Sequence, residues 1–187
     1  MVENDYYKEI ISKLQSIEDT ADKDTIRKVT RIWRMEYQKH PGSGKRIFMI
    51  GNGGSCAIAE HISTDLNKRC KVKALTLSNN SFSTALSNDY GFENALVEWM
   101  KINHFDQTDF LVAISSSGKS PNVLNAINHA NDCLGYVLAI FGMDGESPFT
   151  DNRYEYNYIH IDSNNYGVCE ITSEIILHGI VEEMVIE

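Results

Sequence analysis

Basic residues are scarce in this chain: 17 Lys and Arg stand against 26 Asp and Glu, a formal net charge of −9. That balance argues against general nucleic-acid binding, which needs a basic surface, but leaves room for a local anion site. No apolar run approaches the roughly 18 residues that cross a bilayer, so no membrane contact is expected. The first residues, Met1-Val-Glu-Asn-Asp-Tyr-Tyr7, are acidic and lack the apolar stretch of a secretory signal; a cytoplasmic location is expected. Cysteine is sparse and scattered: Cys56, Cys70, Cys133 and Cys169 form no CxxC pair, which fits free thiols in a reducing compartment. There is no internal repeat and no low-complexity tract. The 187 residues suffice for a single domain with a real core.

The apolar periodicity divides that domain into two parts. Tyr7, Ile10, Ile11, Leu14 and Ile17, then Ile26, Val29, Ile32, Trp33 and Tyr37, recur at helical spacing. They predict two amphipathic helices over 4–20 and 24–38, within an N-terminal segment 1–40 that covers a sheet or pairs with another subunit. From residue 45 to 187, strands and helices alternate. Strands are predicted at 46–50, 72–75, 110–114, 136–141 and 156–161. Helices are predicted at 54–67, 82–88, 92–102, 121–133 and 167–186, with a Gly/Asp-rich turn after Phe141. Uniformly apolar strands alternating with helices imply a parallel sheet covered on both faces.

Two strand-to-helix turns stand out. Gly51-Asn52-Gly53-Gly54-Ser55 follows an apolar strand; its glycines allow a tight turn and close approach to a ligand. By itself such a turn serves equally well to redirect the chain. Ser115-Ser116-Ser117-Gly118-Lys119-Ser120 also follows an apolar strand, before a helix opened by Pro121. Its four hydroxyls and the free helix N–H groups make a nest for a phosphate monoester; capping would explain one or two of the serines. The nucleotide-binding spacing GxxxxGK[ST] is missing. In a doubly wound sheet both turns lie beyond the carboxyl ends of the strands and can face one ligand.

His61 and Asp65 sit four residues apart on the helix after the first turn. Their spacing serves a metal, a shared proton, or merely a surface hydrogen bond. Glu170 and His178 interrupt an otherwise apolar C-terminal helix, where a polar residue needs a partner or a task. Asn88-Asp89 before Tyr90-Gly91 reads as the end of a helix.

Taken in order, Gly51–Ser55, Asn88–Gly91, Ile114–Val123 and His178 make the chain resemble the phosphoheptose isomerases of the sugar isomerase (SIS) domain family. The resemblance runs from about residue 4 to the end. It implies a three-layer αβα sandwich around a five-stranded parallel sheet of flavodoxin-like order, preceded by two helices used in oligomerisation. It implies conversion of sedoheptulose 7-phosphate to D-glycero-D-manno-heptose 7-phosphate through an enediol, at the start of activated-heptose biosynthesis, by a homotetramer with sites between subunits. Ser115, Ser116, Ser117 and Ser120 would hold the phosphate. Asn52, Gly53, Gly54, Ser55, Asn88 and Asp89 would line the sugar. His61, Asp65, Glu170 and His178 fall on the metal positions, zinc being the expected ion, and Asp65, Glu170 and His178 on the catalytic ones. No organic cofactor is expected.

The chain departs from the family pattern at two of those places. Asp65 stands where Glu is usual and Glu170 where Gln is usual, a swap that reads as the acidic group moved from one position to the other. Glu170 and His178 are separated by roughly 12 Å of regular helix; they share an ion only by reaching towards each other, or else serve different roles. A non-catalytic sugar-phosphate sensor or a tetrameric protein adaptor of the same family is the rival reading.

Overall fold

The computed structural model describes residues 6–19, 21–40, 43–143 and 157–185. Helices α1 (Tyr6–Asp19) and α2 (Ala21–Ile32) come first. The helix predicted to run regularly to residue 38 instead widens into a π turn at Trp33–Gln38. There Lys39 N–H reaches back five residues to the Arg34 carbonyl (3.0 Å). The widened turn keeps three groups inward. Trp33 and Tyr37 set their rings edge-on to Phe110, at centroid distances of 5.6 and 6.2 Å. Gln38 Nε2 donates to the carbonyls of Met184 (2.7 Å) and Cys70 (3.3 Å).

Five parallel strands follow: β1 (Ile47–Gly51), β2 (Ala74–Leu75), β3 (Phe110–Ser115), β4 (Tyr136–Gly142) and β5 (Asn157–Ile161), in the spatial order β2-β1-β3-β4-β5. The register pairs Gly51 with Ile114 and Ser115 with Phe141. The connecting helices are α3 (Gly54–Lys68), α4 (Asn80–Tyr90), α5 (Phe92–Ile102) and α6 (Pro121–Asp132), and α7 (Tyr166–Met184) closes the chain. β2 is shorter than the predicted 72–75 because Val72 N–H turns to the Leu66 carbonyl at the end of α3 (3.0 Å). The Gly/Asp-rich turn expected after Phe141 falls largely on residues 144–156, outside the described residues.

Strand side chains alternate between two cores. Ile47 and Met49 of β1 pack with α2, α3 and α7, whereas Phe48 and Ile50 pack with α5 and α6 on the opposite face. The three-layer αβα sandwich is therefore as the sequence predicts. At the amino-terminal edge of the sheet, Asp109 is fully buried. It accepts from Arg46 Nε (2.9 Å) and Nη2 (2.5 Å) and from the backbone N–H groups of Arg46 and Asp106. At the carboxyl edge, β1 leads through α3 to one side and β3 leads through α6 to the other. Neighbouring strands whose connections diverge leave a crevice between their loops, the usual ligand position in an open α/β sheet.

Candidate functional site

The loop after β1 enters that crevice through Gly51, where a Cβ would lie 2.7 Å from the Ser55 carbonyl carbon. Gly53 follows at φ +54°, a left-handed conformation open to glycine. The loop after β3 turns at Gly118 (φ +62°), whose N–H donates to the Ser115 carbonyl (3.0 Å). The two loops are tied by reciprocal amides. Asn52 Nδ2 donates to Asn122 Oδ1 (2.9 Å) and Asn122 Nδ2 to Asn52 Oδ1 (2.8 Å), with Asn122 buried.

Between them lies a cleft of about 300 Å³, floored by Gly53–Ser55 and by Ser115, Ser116, Ser117 and Ser120, with Glu170 and the exposed Tyr166 along its wall. Ser120 stands at the N-cap of α6, yet its hydroxyl makes no cap hydrogen bond, and Gly53 leaves α3 without a side-chain cap. By contrast, α4 and α7 are capped by Asn79 and Asn165. Capping therefore does not consume the Ser120 hydroxyl, and two helix N-termini present unpaired N–H groups and positive dipole ends to the same space. Ser115 Oγ lies 3.5 Å from Ser120 Oγ, and Ser117 Oγ accepts from Lys119 N–H (3.2 Å). The cleft suits a small anion rich in acceptor oxygens.

The Glu170 side chain packs directly over Gly54: a Cβ there would fall on the carboxylate, 2.6 Å from Oε2. α7 thus delivers one acid to the mouth of the serine cleft. Two turns further along the same helix, His178 Nδ1 stands 3.8 Å from Asp65 Oδ2, and His61 Nε2 stands 3.9 Å from the same oxygen. The two imidazoles meet edge to face, centroids 5.0 Å apart. One donor atom from each of His61, Asp65 and His178 lies within 4.8 Å of the others. Two imidazoles and a carboxylate converging in this way fit a divalent cation of the zinc type. Glu170 is not part of that cluster. Arg69 Nη1, 3.6 Å from Asp65 Oδ2, is itself held by Glu182 through two bonds of 2.6 and 2.8 Å.

Asn88 and Asp89 end α4 in the open, Asn88 Nδ2 donating to Asp89 Oδ1 (2.9 Å). Neither lines the serine cleft. Across the Asn52–Asn122 pair lies a more apolar cavity of about 220 Å³, walled by Ile50, Leu77, Phe92 and Leu96. Cys56 faces it, and burial, with Glu60 nearby, pushes its thiol above the ordinary range. Asn122, Arg69 and Tyr166 were not singled out by the sequence. Only the polarity of Asn122, directly after the helix-opening Pro121, offered a hint.

Residues 5–142 match the family model described as SIS domain. The chain belongs to the SIS domain family. Among curated relatives of this SIS-domain chain, a phosphoheptose isomerase of Aquifex aeolicus is 32% identical over 150 residues, covering 77% of this chain and 78% of that protein. A phosphoheptose isomerase of Bordetella avium is 40% identical over 107 residues, about half of either chain (54% and 53%). The solved structure of phosphoheptose isomerase from Neisseria gonorrhoeae superposes with a TM-score of 0.83 at 24% identity, covering 96% of this chain and 95% of that one. That likeness extends the SIS fold through α7, past the end of the family match.

Proposed function

We propose that this chain is an aldose–ketose isomerase that converts sedoheptulose 7-phosphate to D-glycero-D-manno-heptose 7-phosphate, the first step of activated-heptose biosynthesis. One observation carries the reading: the serine cleft, whose hydroxyls and helix N-termini suit a phosphate, has the Glu170 carboxylate at its mouth. The named relatives, phosphoheptose isomerases, support the choice of sugar.

Ser115, Ser116, Ser117 and Ser120, with the N-termini of α3 and α6, hold the phosphate. Its binding energy positions the reacting carbons at the other end of the sugar. A carboxylate, Glu170 or Asp65, takes the proton from C1 beside the C2 carbonyl. The C–H electron pair becomes the C1=C2 bond of an enediol as the carbonyl oxygen gains a proton. The same acid returns its proton to C2, the hydroxyl on C1 gives up its proton, and C1 becomes the aldehyde. His178 moves the proton between the two oxygens. Glu170 is the stronger candidate for the carbon proton because it stands over Gly54 at the mouth of the cleft and, unlike Asp65, lies outside the cluster that would hold the ion. His61, Asp65 and His178 would hold a divalent ion, zinc by donor type, which when bound polarises the sugar oxygens.

Gly53, Gly54 and Ser55 line the sugar, and Asn52 fixes the loop that carries them; Asn88 and Asp89 remain sugar-lining candidates through the resemblance. A homotetramer in the cytoplasm completes the proposal. Among the described residues no helix is long and apolar enough to cross a membrane.

Incubating the protein with sedoheptulose 7-phosphate, with and without Zn²⁺, tests the reading. Formation of the aldose phosphate supports it. Thermal stabilisation by the sugar phosphate without consumption would make the chain a sensor instead.

A further inference from the structure

Arg27 and Arg31 of α2 lie four residues apart, and Arg34 three further on, a spacing that aligns side chains in a row. The π turn adds a fourth cation. Because Lys39 N–H bonds the Arg34 carbonyl, Lys39 comes round beside Arg34, while Gln38 is drawn inward to the Cys70 and Met184 carbonyls. The four cations line a cleft of about 400 Å³ whose one carboxylate is Glu183, on α7.

Among the described residues no ion pair engages Arg31, Arg34 or Lys39. Arg27 meets Asp24 at 3.8 Å on the open surface, a contact of little weight. In a chain of net charge −9, four cations gathered in one concavity repel each other with little to offset them until an anion arrives. The charge of that anion follows from the lining. Four cations less Glu183 leave three positive charges, more than the roughly two negative charges of one phosphate group offset, whereas two or three linked phosphoryl groups match them. A cleft of this volume takes a small molecule; a folded acidic partner would reach only the rim. Glu183 lies about 20 Å along α7 from Glu170, so this cleft is distinct from the serine cleft.

We infer that the α2 cleft binds a small polyanion carrying at least two linked phosphoryl groups, the four cations pairing with its oxygens.

Calorimetric titration of the full-length protein with tripolyphosphate, against inorganic phosphate as the control, tests this. One tripolyphosphate per chain is expected at this cleft, bound more tightly than phosphate and weakened by salt; a second one, taken by the serine cleft, would disappear in Ser117→Ala with Ser120→Ala. Arg31→Gln with Arg34→Gln should weaken binding by at least about tenfold, with circular dichroism confirming the fold. Glu183→Gln should tighten it. Ser117→Ala with Ser120→Ala, in the other cleft, should leave it unchanged. Absence of saturable binding, unaltered affinity in the double arginine variant, no gain in Glu183→Gln, or loss only in the serine variant would overturn the inference. So would arginine-dependent binding of a polyglutamate peptide where tripolyphosphate does not bind, which would mark a protein-docking face.

Discussion

The Glu170 carboxylate occupies the space a side chain on Gly54 would need, with Oε2 2.6 Å from where the Cβ would sit. α3 begins on a glycine here so that α7 can bring an acid over its first turn. In Gly54→Ala the methyl group displaces the end of a flexible side chain, so the fold should survive with a melting temperature lowered by only a few degrees. The acid, however, leaves its place over the cleft. A displacement of about 1 Å at a reacting group costs about 100-fold, and kcat for sedoheptulose 7-phosphate should fall by that order. Unchanged kcat in a folded Gly54→Ala would remove Glu170 from the reaction.

The phosphate grip is expected to show in KM. Ser117→Ala and Ser120→Ala each delete a hydroxyl from the cleft floor. A hydrogen bond to a charged group contributes about 1.5–3 kcal/mol, so kcat/KM should drop by at least about tenfold in each variant. Stability should barely change in Ser120→Ala, whose hydroxyl caps no helix, and should fall by about 1 kcal/mol at most in Ser117→Ala, which loses the bond from Lys119 N–H. Steady-state kinetics beside thermal melts separates the two effects.

Metal retention should depend on the imidazole pair. Zinc content after loading and dialysis is the readout, without recourse to activity. Loss of an outer partner of a metal ligand costs about 10–100-fold in affinity, and loss of a ligand at least as much. His61→Ala and His178→Ala should therefore each lose zinc, while Glu170→Gln, which lies outside the His61–Asp65–His178 cluster, should retain it. Equal retention in all three would dissolve the proposed centre.

The reciprocal Asn52–Asn122 amides join the two ligand loops. In Asn122→Ala the Asn52 amide loses both bonds, and stability should fall by about 1–3 kcal/mol. KM for the sugar phosphate should rise with it, since the loops lose their common tie. Denaturant melts and kinetics on the same preparation check both.

At the opposite edge of the sheet, Asp109→Ala would leave Arg46 without its carboxylate partner. Breaking a buried pair from one side costs about 3–5 kcal/mol. The variant should melt far earlier, with KM little changed in whatever fraction remains folded.

The strands were legible because parallel strands buried on both faces read as continuous apolar runs, as at 47–50 and 110–114. The serine cleft was legible because four hydroxyls in six residues exceed what a cap requires. The π turn was not, since Trp33 and Tyr37 at a spacing of four suit an α-helix equally well; only the tertiary pull on Gln38 shows the difference. Asn122 reads in sequence as an ordinary helix residue, because its partner Asn52 is distant along the chain. The 12 Å helical separation of Glu170 from His178 was legible, but which neighbour each would meet depended on how α7 lies across α3. The four residues that the resemblance assigns to a metal therefore appear here as a cluster of three beside one acid turned to the serine cleft.

The knot of Arg46 and Asp109 has a consequence for how this protein tolerates change. The heaviest polar anchoring described in the sheet sits at its hem, well away from the mouth where hydroxyls and acids gather. Residues around that mouth can be exchanged, one acid for another or an amide for an acid, while the strands stay moored from below.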